Sequence, residues 1–159
     1  MKRLRRSCLA LALGLALPLG TAGVSAAAPG TALACPAEGT RFTTPTTGDT
    51  VFLVGPSQFL YYIPSPADYF RLWRTWDGIA TVDRAACAKT AYALSNARLR
   101  QVSGFTNVFI WDESWDDVGQ PNRYRWITSW SVFAGKYHFD PEKIVVVGAL
   151  GPIMEPNWT

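Results

Sequence analysis

The chain has 159 residues, of which 48% are hydrophobic, and its formal net charge is +3. Four of its 15 basic residues and none of its 12 acidic residues fall within residues 1–28, so the remainder has 11 basic against 12 acidic residues. This near balance excludes a nucleic-acid or anionic-membrane role that depends on bulk positive charge.

Residues 1–28 have the pattern of a secretory signal peptide. Lysine and arginine at positions 2–6 are followed by an apolar run at 9–19, which is too short to span a bilayer, and small residues at 24–28 predict cleavage near Ala27. We therefore expect a secreted, extracellular protein that crosses no membrane after processing, with the cell wall as a candidate location. Residues 29–38 are predicted to be a linker.

Cysteine usage agrees with export. Cys8 would leave with the signal peptide, and Cys35 and Cys87 would remain as a disulfide pair. Neither cysteine belongs to a CxxC motif and His138 is the single histidine, so neither a metal site nor a cofactor is predicted.

The chain repeats itself. Residues 39–43 and 50–54 return as 96–100 and 107–111 at an offset of 57, and residues 61–65 return as 125–129 at an offset of 64. We therefore expect repeat 1 at residues 39–95 and repeat 2 at residues 96–159, packed face to face as one domain.

The elements of repeat 1 follow from apolar and turn patterns. Strands are predicted at 40–43, 51–54, 60–63 and 79–82. Ser65 is a good N-cap, with Pro66 at the first position of a short helix. The alanine-rich stretch from 84 to 96 predicts a single helix between the repeats.

Repeat 2 has the same order of elements. Strands are predicted at 98–102, 108–111, 123–128 and 144–147, with a helical turn after Ser129. In the third strand Arg123 and Arg125 alternate with Tyr124 and Trp126, which predicts one solvent-exposed face and one buried face. The predicted class is β-rich α+β: two tandem pseudo-symmetric repeats of short antiparallel strands with a short helix each.

The repeats resemble a tandem repeat of exported actinobacterial proteins. That repeat has a V-[YF]-L-[VI] strand, then R-x-[WY]-I-P-[SD], then an aromatic residue followed by aspartate. The resemblance implies export and a repeated β-rich fold, and it assigns no activity to any residue. Leu60-Tyr61 stands where the arginine is usual, and Thr128 replaces the proline. The matching residues are 51–54, 62–66, 69 and 76–77 in repeat 1 and 108–110, 125–127 and 139–140 in repeat 2.

An insertion in repeat 2 is the candidate ligand-binding site. It combines acidic and aromatic residues in a loop, where a tryptophan can stack on a sugar ring and the polar groups can bind its hydroxyls. The alternative is a solvated acidic hairpin with a tryptophan folded back on the core. The candidate residues are Trp111, Asp112, Glu113, Trp115, Asp116, Asp117 and Asn122.

A second aromatic set also suggests a carbohydrate platform, although its recurrence in both repeats favours core packing. Because adjacent strand residues face opposite sides, some members must face solvent or a partner. The set comprises Tyr61, Tyr62, Trp73, Trp76, Tyr124, Trp126 and Trp130.

These patterns favour a secreted, non-catalytic protein that binds a cell-wall glycan or an extracellular protein. Two alternatives stay open: a small secreted hydrolase that uses the acidic residues at 112–117, and a structural envelope protein or inhibitor. Neither a GxSxG nucleophile motif nor a nucleotide-binding motif occurs in the sequence.

Overall fold

The computed structural model describes residues 34–46, 48–83, 87, 91–112 and 123–159. The predicted signal peptide and the first half of the predicted linker lie outside the described residues. So do five candidate residues of the acidic loop: Glu113, Trp115, Asp116, Asp117 and Asn122. Among the described residues, no helix has the length and apolar character needed to cross a membrane.

Nine β-strands are formed by the described residues. In chain order they are β1 Arg41–Thr44, β2 Gly48–Val54, β3 Leu60–Ile63, β4 Ile79–Thr81, β5 Ala91–Ala93, β6 Arg98–Val102, β7 Val108–Asp112, β8 Arg123–Ile127 and β9 Ile144–Val147. The first sheet has the order β4-β1-β2-β3-β5, and the second has the order β8-β7-β6-β9. The predicted β-rich α+β class is confirmed.

Both sheets are mixed, whereas the sequence predicted antiparallel strands. β1 pairs antiparallel with β2 but parallel with β4, and β6 pairs antiparallel with β7 but parallel with β9. The pair of β3 and β5 is also parallel. Parallel neighbours require a crossover connection, and here the chain passes through a helical segment before β4 and before β9.

Both predicted helical turns are present. In α1 (Pro66–Tyr69) the Ser65 hydroxyl accepts a hydrogen bond from the Asp68 amide at 3.1 Å, as the N-cap prediction requires. The second turn, Ser131–Lys136, has π-helical geometry, and the Ser129 hydroxyl accepts from the Val132 amide at 3.2 Å.

The helix predicted over 84–96 is wrong where the structure describes that stretch. Residues 91–93 form β5, which lies parallel to β3 with Leu60 opposite Ala91 and Tyr62 opposite Ala93. Alanine favours helices, but an open sheet edge offers the backbone a full set of partners and overrides that preference. Leu94, the next residue, is fully buried in the core.

The main core lies between the two sheets. Leu53 and Tyr61 from the first sheet belong to the same buried cluster as Leu99 and Ile110 from the second. Trp158 is also fully buried in this cluster, and its amide donates to the Trp126 carbonyl at 2.8 Å. The core therefore needs both sheets, since neither can cover its own apolar face.

A second, smaller core covers the other face of the first sheet. The predicted disulfide between Cys35 and Cys87 is confirmed, with a Cα–Cα distance of 4.6 Å. Both half-cystines pack against this cluster, together with partly buried Ala80 and Val82. Burial on both faces explains the unbroken apolar run in β2. The buried members are Phe42, Phe52, Val54 and Leu60.

Each helical segment contacts the turn that precedes the first strand of the other sheet. Lys136 forms an ion pair of 3.1 Å with Glu38, and a Cβ on Gly39 would collide with the Lys136 carbonyl. On the opposite side the Asn96 amide donates to Asp68 at 2.8 Å. Gly39 and Asn96 both have a positive φ, 88° and 53°, so each turn contains one residue in the left-handed backbone conformation.

The first strands of the two sheets differ by one position in register. Arg41 lies opposite Leu53, but Arg98 lies opposite Trp111, although an offset of 57 would place Arg98 opposite Ile110. A slip of one residue moves a side chain to the other face of a sheet. Arg41 consequently points into the core, whereas Arg98 lies on the outer face.

The prediction that the arginine side of β8 faces solvent is wrong at Arg125. This residue is 2% exposed, lies on the core side with Ile127, and donates to the Tyr61 hydroxyl at 3.3 Å. Tyr124 and Trp126, on the other face, are half-buried. The alternation along β8 was predicted correctly. The side chain that enters the core is Arg125, because the Tyr61 hydroxyl accepts its hydrogen bond there.

Candidate functional site: two aromatic grooves

The first groove lies where β2 begins, β3 ends and α1 starts. It has a volume of about 750 Å³. Its aromatic wall comprises Tyr62 and Trp76, which are 37% and 44% exposed, above the buried Tyr69. Asp49 and Thr50 at the start of β2 add a carboxylate and a hydroxyl to the lining.

Trp76 is held in a fixed orientation by other rings. It stacks on Tyr69 with the ring centroids 4.0 Å apart and 25° between the planes, and it meets Phe70 edge-on at 4.9 Å. One face of the indole is therefore packed, and the ring is exposed without being free to rotate. A prearranged aromatic surface binds with little loss of side-chain entropy.

Tyr69 is fixed in turn by a buried arginine. Arg41, 7% exposed, donates to the Tyr69 hydroxyl and to the Asp77 carbonyl, the latter at 2.8 Å. Burial raises the pKa of the Tyr69 phenol, against the opposing effect of the Arg41 guanidinium. The hydroxyl therefore stays protonated, and it donates to the Thr75 carbonyl at 2.7 Å.

The second groove occupies the corresponding place in the other sheet. It lies where β7 begins, β8 ends and the helical segment 131–136 starts, and its volume is about 510 Å³. Several lining residues are separated from those of the first groove by 57 or 64 positions. These pairs are Thr50 and Asn107, Val51 and Val108, Tyr62 and Trp126, Ile63 and Ile127, Ser65 and Ser129, and Tyr69 and Phe133.

Each groove carries an exposed tryptophan stacked on its helical aromatic ring. Trp130 is 58% exposed and stacks on Phe133 at 4.9 Å with 19° between the planes. It follows Ser129 directly, whereas Trp76 lies seven residues beyond Tyr69. Different sequence positions thus produce the same arrangement in the two grooves.

The residues that flank the predicted acidic loop are distant from the second groove. Asp112 and Arg123 pair with each other at one end of the β7–β8 ladder, whereas the second groove is formed around Val108 and Ile127, about 13 Å away at 3.3 Å per residue. Trp111 is 4% exposed and its ring lies 4.3 Å from the Arg98 guanidinium, so it offers little surface to a ligand. Asp112 is the last residue of β7.

The second aromatic set divides between core and grooves. Tyr61 and Trp73 are buried, while Tyr62, Trp76 and Trp130 are exposed along the grooves. Alternation along β3 indicated that one of Tyr61 and Tyr62 would be exposed. The polar contributors Asp49 and Asn107 carried no recognisable signal, because only the folded strand ends bring them to the aromatic rings.

A separate cavity of about 500 Å³ contains His138, Asp77 and Asp140. Its carboxylates are already engaged, since Thr75 donates to Asp77 at 2.8 Å and Arg74 donates to Asp140 at 3.2 Å. Within the described ranges, no cluster of three or more His, Cys, Asp or Glu residues has the arrangement of a metal site.

No protein-family model, curated protein or solved structure matches this chain. The class that fold and grooves define is a disulfide-linked, β-rich α+β protein with two aromatic grooves.

Proposed function

We propose that this protein is a secreted, non-catalytic binding protein whose two aromatic grooves hold a carbohydrate. The observation that carries this proposal is the exposed tryptophan in each groove, Trp76 and Trp130, stacked on a buried ring. The apolar face of a sugar ring packs on an aromatic surface, and the surrounding hydroxyls need polar partners. Asp49 and Asn107 supply a carboxylate and an amide at the rims.

We also propose that the two halves are copies of one ancestral unit. Val51 lies opposite Ile63 and Val108 lies opposite Ile127, which are the pairs expected from offsets of 57 and 64. The reciprocal contacts between helical segments and turns support a pseudo-twofold arrangement within one chain. Two similar grooves on one protein would bind a polymeric glycan more tightly than either groove alone.

Export is supported by the signal-like residues 1–28 and by the disulfide between Cys35 and Cys87. Disulfides form and persist in oxidising compartments and are rare in the cytosol. The cell wall is therefore the first source of ligand to test.

The experiment is depletion of the mature, oxidised protein on insoluble cell-wall sacculi and a panel of polysaccharides, with tryptophan fluorescence as a second readout. Trp76→Ala and Trp130→Ala should each weaken saturable binding roughly tenfold, because each removes one stacking surface. Phe105→Ala is the matched control, since Phe105 is 64% exposed and lines neither groove.

Three results separate the possibilities. Unchanged binding by the Trp76→Ala, Trp130→Ala double variant would exclude the grooves. Loss of binding in a Trp115→Ala, Asp116→Asn variant alone would assign the ligand to the acidic loop. Absence of depletion on every matrix would overturn the carbohydrate proposal and favour a protein ligand.

A further inference from the structure

We infer that the outer face of the second sheet carries a separate site for a phosphate-class oxyanion. Four cationic side chains line one cavity of about 420 Å³, which contains neither groove tryptophan. This inference depends on no part of the proposed carbohydrate function. The cations are Arg71, Arg98, Arg100 and Lys143, and the remaining lining residues are Phe70, Glu142 and Val145.

The fold brings these cations together from three places. Leu99 is fully buried in the core, so its neighbours Arg98 and Arg100 on β6 face the opposite side of the sheet. Lys143 immediately precedes β9, which pairs parallel with β6. Arg71 arrives from the segment after α1, in the other half of the chain.

The lining of the cavity carries four cations but only one carboxylate. Its single acidic residue, Glu142, is paired with Arg74 outside the cavity at 2.6 Å. Over the described ranges, none of the four cavity cations forms an ion pair with a carboxylate. Since the chain beyond residue 28 has nearly equal numbers of acids and bases, this excess is a local feature and not a result of composition.

Arg98 has a hydrogen-bond donor that no described residue uses. Its Nε is buried and has no hydrogen-bond partner among the described residues. The Trp111 ring, 4.3 Å from the Arg98 guanidinium carbon, fixes the plane of that group. A buried donor without a partner is costly, and a shift of the Arg98 side chain toward a bound anionic oxygen would give it a charge-assisted hydrogen bond.

The chemistry favours phosphate over a carboxylate. Three guanidinium groups and one ammonium can neutralise a dianion and offer forked donors to its oxygens. Phe70 and Val145, 37% and 49% exposed, form an apolar border that suits the organic part of a phosphate monoester.

The test follows the Nε–Hε resonance of Arg98 by NMR while inorganic phosphate is added at constant ionic strength, with glycerol 3-phosphate, sulfate and acetate as parallel titrations. A saturable shift with phosphate supports the site. A stronger response to glycerol 3-phosphate assigns it to phosphate esters, and a stronger response to inorganic phosphate assigns it to the free ion. Equal responses to phosphate, sulfate and acetate, or no saturation with any of them, would overturn the inference.

Variants identify the residues. Arg100→Gln and Lys143→Gln should each weaken phosphate binding about tenfold, because each removes one charged donor. Lys136→Gln removes the same charge outside the cavity. It should change the affinity for phosphate by less than about twofold, because salt screens the interaction between distant charges. Equal losses in all three variants would show general charge attraction and contradict the site. Both cavity variants keep the Arg98 side chain and its reporting resonance.

Discussion

Individual aromatic residues differ in role because of their neighbours and not because of their type. Trp73 is 1% exposed and donates its indole N–H to the Tyr137 carbonyl at 2.9 Å, so it is part of the core. Trp76, three residues later, is 44% exposed and packs only one face, on Tyr69. The Tyr137 carbonyl satisfies the N–H of the first indole, so that ring lies in the core without an unpaired donor.

Asp140 is expected to make stability depend on pH. Burial raises the pKa of its carboxyl, but hydrogen bonds from Arg74 and from the Glu142 amide outweigh burial and lower the pKa below 3.8. A lowered folded-state pKa gives stability that is complete above 3.8 and is lost as pH falls through the folded value. Asp140→Asn should therefore be less stable than wild type at pH 7, and the difference should disappear in acid.

Urea unfolding of both proteins between pH 7 and pH 2 measures this difference. Arg74→Gln should have a similar effect, and the double variant should lose less than the sum, because the two side chains share one interaction. Parallel pH profiles of wild type and Asp140→Asn would contradict the assignment.

At the scale of elements, the cap at Ser65 positions the first groove. Its hydroxyl accepts from the Asp68 amide and donates to the Asp68 carboxylate at 2.6 Å, which starts α1 one turn before Tyr69. Ser65→Ala should lower the free energy of unfolding by about 1 kcal/mol, the usual cost of losing an N-cap. Chemical denaturation checks this value.

Ser103→Ala is the control for that substitution. Ser103 is exposed, and its hydroxyl makes no hydrogen bond with any residue that the structure describes, so stability should change by less than about 0.5 kcal/mol. A Ser65→Ala variant as stable as this control would show that the turn does not need its cap.

Strands were predictable where the residue pattern marks them, and less so where pairing with a neighbouring strand decides. Residues 60–63, 98–102 and 144–147 form strands with the predicted bounds, because they alternate polar with apolar residues or are rich in aromatic and β-branched residues. β5 was missed because its alanines favour a helix and only the open edge of β3 makes it a strand. The face of the first sheet on which Arg41 lies was equally unpredictable, since it depends on a one-residue difference in register between the two sheets.

The disulfide acts on the whole molecule. Cys35 and Cys87 are 52 positions apart, and closing a loop of that length is expected to add about 4 kcal/mol by restricting the unfolded chain. Reduction should lower the free energy of unfolding by that amount. It should also loosen the cover over the second core, because both half-cystines pack against it.

Denaturation with and without a thiol reductant measures the effect. The Cys35→Ser, Cys87→Ser variant should match the reduced protein and respond to reductant no further. Unchanged stability after complete reduction, verified by thiol counting, would contradict the prediction.

The sequence by itself determined the β-rich class, the positions of most strands, the two capped turns, the cysteine pair and the internal offsets of 57 and 64. These depend on local patterns, which act over a few residues. Tertiary structure alone decided which tryptophans face a groove, that Arg125 enters the core, and that four cations meet on one face. Such features depend on residues from distant segments, whose approach is set by strand register and by the packing of the two sheets.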